Sequence, residues 1–400
     1  SMASMVNSQN VDDALRYSQL FYGGTARFIS MGGAFTALGG DISSLSQNPA
    51  GLGVFRSSEI TITPQLFHNK ANGELFANQS MDYLYNFNLG QAGIVTNLVN
   101  NNSESGLITL NLGYSFNRTN NFKQSLITEG TSDNSSLLDL WADYADGWYR
   151  DELEDNVPEA FLGWSTYLID SLPGSNTGYG TVFSNYGDNA TTYGQYMRRI
   201  TTTEGFSGEH AISIGGNMSN KLFFGVTLGI TRINYESKYE HRETVEAPRV
   251  SVRYPLEAEG FTDFIYSFFY QNIGTGYSLK LGAIYKPVES LRLGFAFHSP
   301  TFYRIDEYIS DNISSYFDNL ASPIQESYEP YRFNYALSTP FRIIGGAAFQ
   351  LKKFALFSAD YEFIDYSTAK FSETGDDYDY TDKNHEIRNS LQPVTNLRLG

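Results

Sequence analysis

The sequence predicts an all-β protein, an antiparallel transmembrane β-barrel with a short helical N-terminal segment inside its lumen. Three observations predict this fold class. Segments of alternating apolar and polar residues recur from residue 59 onward, the connections after the third segment alternate between long and short, and one glycine-rich segment precedes them all. A barrel strand shows lipid only every second side chain, and bacterial barrels have tight periplasmic turns and long external loops. A soluble β-sandwich has no reason to keep that order.

Composition excludes several classes of protein. The 400 residues include 29 Tyr, 29 Phe and no Cys, and the formal net charge is −17. A nucleic-acid partner requires a basic footprint, so this charge argues against one. No run of about 18 apolar residues predicts a transmembrane helix. No signal peptide is visible, and we expect residues 1–5, with the sequence SMASM, to be an expression scar.

Residues 6–56 form the first predicted unit, which we call the plug. Its sequence carries helical patterning interrupted by two glycine pairs, Gly32-Gly33 and Gly39-Gly40, and it ends in Asn48-Pro49-Ala50-Gly51. Glycine and alanine permit close approach of the backbone, so this composition predicts a segment that fits inside something narrow. The alternative is an N-terminal helical hairpin packed on a soluble β domain.

Residues 57–400 form the second predicted unit, the wall of the barrel. The alternation predicts about ten strands, at residues 59–66, 86–98, 108–117, 210–218, 222–234, 276–285, 291–303, 332–351, 354–371 and 394–400. We expect the long connections to be extracellular loops, and they cover about residues 120–199, 235–263, 304–331 and 372–389. Bacterial barrels close with an even number of strands, and ten could close.

Parity along the predicted hairpins gathers ionisable side chains on the lumenal side of the wall. They are Lys280, Arg292, His298, Arg342, Asp360, Glu362 and Arg398. Arg342 is expected near Glu362 if the turn at Lys352-Lys353 is tight. One interpretation is that a cation of this set meets a ligand carboxylate or fixes the plug. The other is that the set forms ion pairs that fill the barrel. The five scattered histidines indicate no metal or haem site.

The longest predicted loop carries aromatic residues at helical spacing, namely Trp141, Trp148, Phe161 and Trp164. An exposed apolar groove there could capture a hydrophobic molecule from outside. Equally, the same residues could be the small core that holds the loop together. The acidic residues of the last loop, Asp376, Asp377, Asp379 and Asp382, lack the glycine and glutamate of an EF-hand loop, and we interpret them as a solvated charge run.

Several phrases of the sequence resemble a known family. They are Ala26-Arg27, Met31-Gly32-Gly33-Ala34-Phe35, Ala37, Asp41 and Asn48-Pro49-Ala50-Gly51 in the plug, and Phe297-His298-Ser299-Pro300-Thr301 and Leu337-Ser338-Thr339-Pro340-Phe341-Arg342 in the wall. Together they resemble the FadL/TodX family of outer-membrane transporters for hydrophobic compounds, in the form found in Bacteroidetes-type bacteria. The phrases are spread over most of the chain.

The resemblance implies a fourteen-stranded barrel, so we expect roughly four strands beyond Gly400, since an unclosed barrel leaves edges that lipid cannot satisfy. It also implies a gating role for the plug, in which Asn48, Pro49, Ala50 and Gly51, with Met31 and Phe35, close the lumen. A kinked strand near the plug would open sideways into the bilayer. Candidates for the kink are Gly90, Gly93 and Gly113, because glycine weakens the ladder. Alternatively, these glycines ease curvature or make room for the plug.

From the resemblance we expect passive transport of hydrophobic small molecules, such as long-chain fatty acids, across the Gram-negative outer membrane. The expected partners are such a molecule and outer-membrane lipid, with no cofactor. One alternative is a secretion-associated barrel that binds or shuttles proteins or lipids, and another is a receptor for hemin or a different hydrophobic ligand. We expect no enzyme, because the sequence lacks a Gly-x-Ser-x-Gly elbow, a phosphate-cradling glycine loop and a His-Glu-x-x-His motif.

Overall fold

The computed structural model describes residues 10–172, 174–183, 193–249, 260–352, 354–375 and 378–400. Residues 1–5, Lys353 of the predicted turn, and Asp376 and Asp377 of the acidic run therefore lie outside the described residues. The helices are α1 Val11–Ser18, α2 Ala26–Ser30, α3 Leu137–Ala145, α4 Leu153–Asn156, α5 Pro158–Ser165 and α6 Thr381–Ser390, with 3-10 turns at Ile42–Ser46, Pro49–Val54, Arg150–Glu152 and Tyr366–Thr368. No helix in this part of the chain is long and apolar enough to span a membrane.

Strands dominate the rest of the described chain. They are β1 Glu59–Leu75, β2 Asn78–Asn100, β3 Leu107–Asn121, β4 Gln124–Ser132, β5 Ile169–Ser171, β6 Tyr179–Thr181, β7 Gln195–Met218, β8 Leu222–Arg249, β9 Phe261–Val288, β10 Leu291–His298, β11 Phe302–Phe317, β12 Ile324–Ser327, β13 Tyr331–Ser338, β14 Arg342–Leu351, β15 Ala355–Asp365, β16 Lys370–Glu373 and β17 Pro393–Leu399. All-β class and a short helical N-terminal region, as predicted, are confirmed.

One antiparallel sheet forms the wall. Its main order is β1-β2-β3-β7-β8-β9-β10-β14-β15-β17, while β4 pairs with β7, and β11 pairs with β9, β12 and β13. Strands β5 and β6 pair separately, within the longest connection. Among the described residues β1 and β17 are not paired with each other, so the wall is an open sheet.

Oily side chains cover the outer face of this sheet. On β8, Leu222, Phe224, Val226 and Leu228 are 39–46% exposed, whereas the intervening residues Phe223, Gly225 and Thr227 are buried against the plug. The predicted sidedness of the strands is therefore confirmed. Because successive side chains of a strand point to opposite faces, one sequence supplies both an apolar exterior and a small or polar interior.

Strands run farther than predicted into the connections. The described part of the segment at 235–263 consists largely of the ends of β8 and β9, the segment at 304–331 contains most of β11 and all of β12, and the one at 372–389 contains most of α6. The outer ends of the strands carry polar residues on the exposed face, as at Lys238, Glu240 and Arg242. Apolar alternation stops there while the backbone ladder continues, so periodicity underestimates the strand length.

Three strands predicted as continuous are interrupted. The predicted strand 291–303 divides into β10 and β11 around Pro300, and 332–351 divides into β13 and β14 around Pro340. The predicted strand 354–371 is likewise split into β15 and β16 by a 3-10 turn. Proline has no N–H to donate, so it breaks the ladder at these two points. The interruptions lie side by side, because Phe302 pairs with Ser338 and His298 pairs with Arg342.

Candidate functional site: the plug and its seat in the wall

The plug is built from short capped turns. Asp41 caps the first 3-10 turn by accepting from Ser43 N, and Asn48 caps the second by accepting from Ala50 N. Both turns are therefore capped by a side chain at the residue that precedes them. Gly32, Gly33, Gly39 and Gly40 all have positive φ, between 58° and 71°, a conformation that other residues adopt at a cost. These pairs let the chain fold back on itself.

Burial is complete through the second half of the plug. Every residue from Asp41 to Gly53 is buried. Pro49, Ala50 and Gly51 lie in this stretch, and Phe35 is fully buried with Phe28 and Leu38 against Ala348 of the wall. Met31 packs at the edge of the same cluster. Of the six residues to which the resemblance gives a gating role, Gly51 packs inside the plug, against Ser44 and Gly39.

Glycines of the wall form the seat of the plug. A Cβ at Gly225 would overlap Pro49, one at Gly282 would overlap Asn48, and one at Gly294 would overlap the backbone of Thr36. These glycines lie on three neighbouring strands, β8, β9 and β10. We call this glycine-lined surface the seat. A side chain cannot be accommodated there without movement of the plug, so the two sequences are fitted to each other.

Two of the three predicted kink glycines also make room for the plug. A Cβ at Gly93 would lie 2.7 Å from Ile42 Cδ1, and one at Gly113 would lie 2.7 Å from Leu45 Cδ2. Both glycines sit in regular register with their partner strands. These contacts agree with the alternative interpretation, in which the two glycines make room for the plug, and a kink at Gly93 or Gly113 stays a prediction. Gly90 differs, because the pairing of β1 with β2 shifts opposite it, between Thr63 and Pro64.

A buried carboxylate on β15 binds two residues of the plug, Thr36 and Gln47. Asp360 Oδ2 accepts from Thr36 N over 3.0 Å, from Thr36 Oγ1 over 2.7 Å and from Gln47 Nε2 over 3.1 Å. The Asn48 side chain completes the arrangement by donating to Thr36 O over 2.6 Å. Thr36 and Gln47 are thus tied to each other through one wall residue.

A buried ion pair holds the turn that precedes Asn48. Lys280 Nζ lies 2.5 Å from Glu209 Oε2 and donates to Ser46 O over 2.8 Å. Ser46 Oγ in turn donates to Glu209 Oε1 over 2.8 Å. Sequence reasoning misses Glu209 because the predicted strand begins one residue later, at His210. Ile212 and Ile214 face outward, so the odd-numbered residue between them faces the lumen. The same alternation, continued back to residue 209, would have placed Glu209 on the lumenal face.

The remaining predicted lumenal residues also contact the plug. His298 Nε2 lies 2.8 Å from Gln47 O, and Arg292 Nη1 donates to Leu38 O over 2.7 Å. Arg342 donates to the backbone oxygen of Ser18.

Glu362 links the last two members of the set. Its carboxylate lies 3.1 Å from Arg342 Nη1 and 2.7 Å from Arg398 Nη1, and it accepts a 3.3 Å hydrogen bond from the Tyr22 hydroxyl. The predicted proximity of Arg342 and Glu362 is therefore present. Each of the seven ionisable wall residues selected by parity contacts the plug, or contacts another wall residue that does.

Aromatic side chains fill the lumen between the seat and the long connections. Ala14 and Tyr17 of α1 are buried in a cluster with Tyr235, Tyr270, Tyr303 and Tyr335, which we call the tyrosine cluster. Asn272 Nδ2 donates to the Tyr17 and Tyr270 hydroxyl oxygens, each over 2.6 Å. Sequence reasoning misses this cluster because Tyr235 lies in a predicted connection, and because nothing in the predicted strands that carry Tyr303 and Tyr335 indicates that these rings meet α1.

An acidic residue of α1 faces this cluster. Asp13 contacts Arg16 and accepts a 2.9 Å hydrogen bond from the Tyr270 hydroxyl. Burial raises the pKa of Asp13, against the opposing effects of Arg16 and Tyr270. The helix is therefore held by both polar and apolar contacts.

The aromatic residues of the longest connection divide between core and surface. Trp141 is 2% exposed and packs edge-on against Tyr266 at 4.9 Å between ring centroids, so it belongs to a local core. Trp141 thus lies in a small core, as the second interpretation of these aromatic residues expects, and ligand capture by them stays a prediction. Phe161 and Trp164 are half-buried against the same core, and Trp148 is 39% exposed. The described residues contain no group of three His, Cys, Asp or Glu side chains placed to hold a metal ion.

Three solved structures illustrate what the chain is similar to. The CymD monoaromatic hydrocarbon channel is 12% identical over 94% of this chain and 75% of that chain, with a TM-score of 0.42. The Ralstonia pickettii toluene transporter TbuX is 14% identical over 88% and 76%, with a TM-score of 0.37. The Pseudomonas putida toluene transporter TodX is 12% identical over 89% and 75%, with a TM-score of 0.43. No protein-family model and no curated protein matches. We therefore base the functional proposal on contacts within this chain.

Proposed function

We propose that this chain is a transport protein, not an enzyme, and that it moves hydrophobic small molecules passively across the outer membrane as a member of the FadL/TodX family. One observation carries the proposal. The wall turns an apolar face outward while its inner face holds a fitted plug on glycines and buried ionisable residues. An apolar exterior with a polar, filled interior is the arrangement that a lipid bilayer requires of a β wall.

The tyrosine cluster is the best candidate for the ligand site. It is lined by aromatic rings and lies directly above the seat, and Ala14 and Tyr17 of α1 occupy it. A hydrophobic molecule would enter by displacing α1. Burial of apolar surface would supply about 25 cal/mol per square ångström, and no energy source would be needed.

The ionisable residues bear on the substrate class. Lys280 is paired with Glu209, and Arg342 is paired with Glu362, so a ligand carboxylate would have to compete with a protein carboxylate for either cation. Long-chain fatty acids are one candidate substrate. Uncharged hydrophobic molecules avoid that competition, so both classes belong in the test.

The test is uptake by Gram-negative cells that lack their own transporters of this kind and express the full chain. We expect labelled oleate or labelled naphthalene to enter faster than into cells carrying the empty vector. Entry of neither molecule, with the protein folded in the outer membrane, would contradict transport. Entry of sugars and ions at porin rates would indicate an open polar channel instead.

The hemin-receptor alternative finds no support among the buried histidines. His298 contacts Gln47 O, and His241 Nε2 lies 2.9 Å from Glu243 Oε1. Both rings therefore already serve as structural hydrogen-bond partners.

A further inference from the structure

Three arginines form one row across the outer face of the wall. Arg118 on β3 pairs with Gly208, which pairs with Arg232 on β8. Arg232 pairs with Thr275, which pairs with Arg304 on β11. The cations therefore recur on every second strand at one level. We call this set the arginine row.

The side chains of the row point away from the lumen. Arg232 is exposed between the buried residues Thr231 and Ile233, and Arg304 is exposed between the buried residues Tyr303 and Ile305. Arg118 is half-buried, because its guanidinium lies 4.0 Å from the Phe206 ring centroid and its Nε donates to Leu89 O. Within the described chain, Arg232 and Arg304 form no ion pair.

Aromatic residues occupy the next row toward the short turns. Phe116 pairs with His210, His210 with Ile230, Ile230 with Tyr277, and Tyr277 with Phe302. Aromatic girdles of this kind mark the boundary between hydrocarbon and headgroups on barrel proteins. The arginine row lies one step outside that boundary.

The apolar band below the row has the height of a membrane. On β8 it extends from Leu222 to Ile230, which is about 26 Å along the strand at roughly 3.3 Å per residue. A strand tilt of about 40° reduces this to about 20 Å, close to the roughly 25 Å band of outer-membrane barrels. The arginine row is therefore at the level of the lipid headgroups.

Charge complementarity identifies the occupant. The chain has a formal net charge of −17, yet this row contains three cations and no acid; the nearest outward carboxylate beside Arg304 is Asp306, one row farther out. Arginine presents a planar fork of donors that matches phosphate oxygens. Outward cations at this depth have no protein partner to neutralise them, whereas lipid phosphates lie at the same level.

We propose that the arginine row binds the phosphate groups of anionic lipid in the outer leaflet, and so fixes the depth of the wall in the membrane. This inference rests on the membrane location in the proposed function and not on transport itself. The relevant chemistry is a phosphorylated glycolipid, for which bisphosphorylated lipid A is the probe.

The test is native mass spectrometry of the full chain in detergent with added lipid A. We expect Arg232→Gln/Arg304→Gln to lower the retained lipid A roughly thirtyfold, because each cation near an anionic surface strengthens binding about fivefold. The matched control is Arg150→Gln/Arg388→Gln, which removes two exposed arginines outside the row and should retain lipid A normally. Retention by the row variant equal to that of the wild type would overturn the proposal.

A second measurement does not depend on the folding of a variant. Wild-type protein is offered lipid A and the same lipid stripped of both phosphates, and we expect only the phosphorylated form to remain bound. Equal retention of both would also overturn the proposal. Uptake of naphthalene by the same variants separates the lipid-binding proposal from the transport proposal. Loss of lipid A binding with normal uptake supports lipid binding by the arginine row. Normal lipid A binding without uptake contradicts transport and leaves the lipid-binding proposal intact.

Discussion

The lower and upper parts of the lumen are filled by different chemistry. In the seat, backbone packs on glycine, and buried ionisable residues such as Lys280 and Asp360 bind the turns of the plug. In the tyrosine cluster, large rings surround two side chains of α1. A glycine contact tolerates no displacement, whereas an aromatic cluster can exchange one apolar occupant for another. From this difference we infer, as part of the proposed function, that the seat closes the lumen and the cluster receives the ligand.

The largest effect is expected from filling the seat. Gly282→Val places a side chain where Asn48 and Ala50 N now lie, so the second turn of the plug cannot dock. We expect ion conductance in planar bilayers to rise from a closed baseline to a steady open level. Gly345→Val is the matched control, because nothing lies within 4 Å of a Cβ at Gly345 on the same wall. A closed channel in Gly282→Val would show that the seat does not hold the plug.

Breaking the buried ion pair should come next in size. Lys280→Met leaves Glu209 buried with a single hydroxyl partner, Ser46, and should lower the free energy of unfolding by about 3–5 kcal/mol. The measurement is denaturant unfolding of the protein in micelles or bilayers. Adding Glu209→Gln should recover part of the loss. Lys286→Met, which removes a pair with the exposed carboxylate of Glu289, should change stability far less, because an ion pair with an exposed partner contributes little. Equal losses in the two lysine variants would remove the distinction between seat and surface.

A cavity in the tyrosine cluster should lower the free energy of unfolding by less than the loss of the ion pair does, and should strengthen ligand binding. Tyr17→Ala empties a buried site beside Tyr235 and Tyr270, at a cost of about 3 kcal/mol. We expect a fluorescent hydrophobic ligand to bind more tightly, with a Kd lowered several-fold. Tyr17→Phe keeps the ring and removes the hydroxyl that accepts from Asn272, which costs about 1 kcal/mol, and should leave the Kd near that of the wild type. Weaker binding to Tyr17→Ala would indicate that α1 itself forms part of the ligand site.

The smallest effect is expected outside the lumen. Trp148→Ala changes a residue that is 39% exposed on the long connection, and should alter neither unfolding nor the concentration dependence of uptake measurably. A clear loss of uptake at low ligand concentration would instead assign Trp148 to ligand capture.

Periodicity in the sequence predicts the sidedness of the wall well and its extent poorly. Alternation identifies the oily row from Leu222 to Ile230 because those residues contact the exterior. It fails beyond Asn234, where both faces of the strand become polar or aromatic although β8 continues to Arg249. Parity selects Lys280 and Asp360 for the lumen, since a strand fixes the side to which a residue points.

Tertiary distances are the part of the site that sequence does not supply. The glycines of the seat are ordinary strand glycines in the sequence, and Gly93 and Gly113 acquire meaning only when Ile42 and Leu45 are placed against them. Glu209 is one residue outside a predicted strand, yet it is the partner of Lys280. Long-range contacts of this kind depend on how the plug folds inside the wall.

The most direct test of the central claim, an outward apolar face with the plug inside, is a pair of single-cysteine spin labels. The chain has no native cysteine, so Leu228→Cys and Thr227→Cys give clean labelling on adjacent residues of β8. In lipid bilayers, we expect the label at 228 to be relaxed by oxygen dissolved in hydrocarbon. We expect the label at 227, where the native side chain contacts Leu45 O and Ser213, to be shielded from both oxygen and a water-soluble quencher. Access of the water-soluble quencher to residue 228, or of oxygen equally to both residues, would contradict the account.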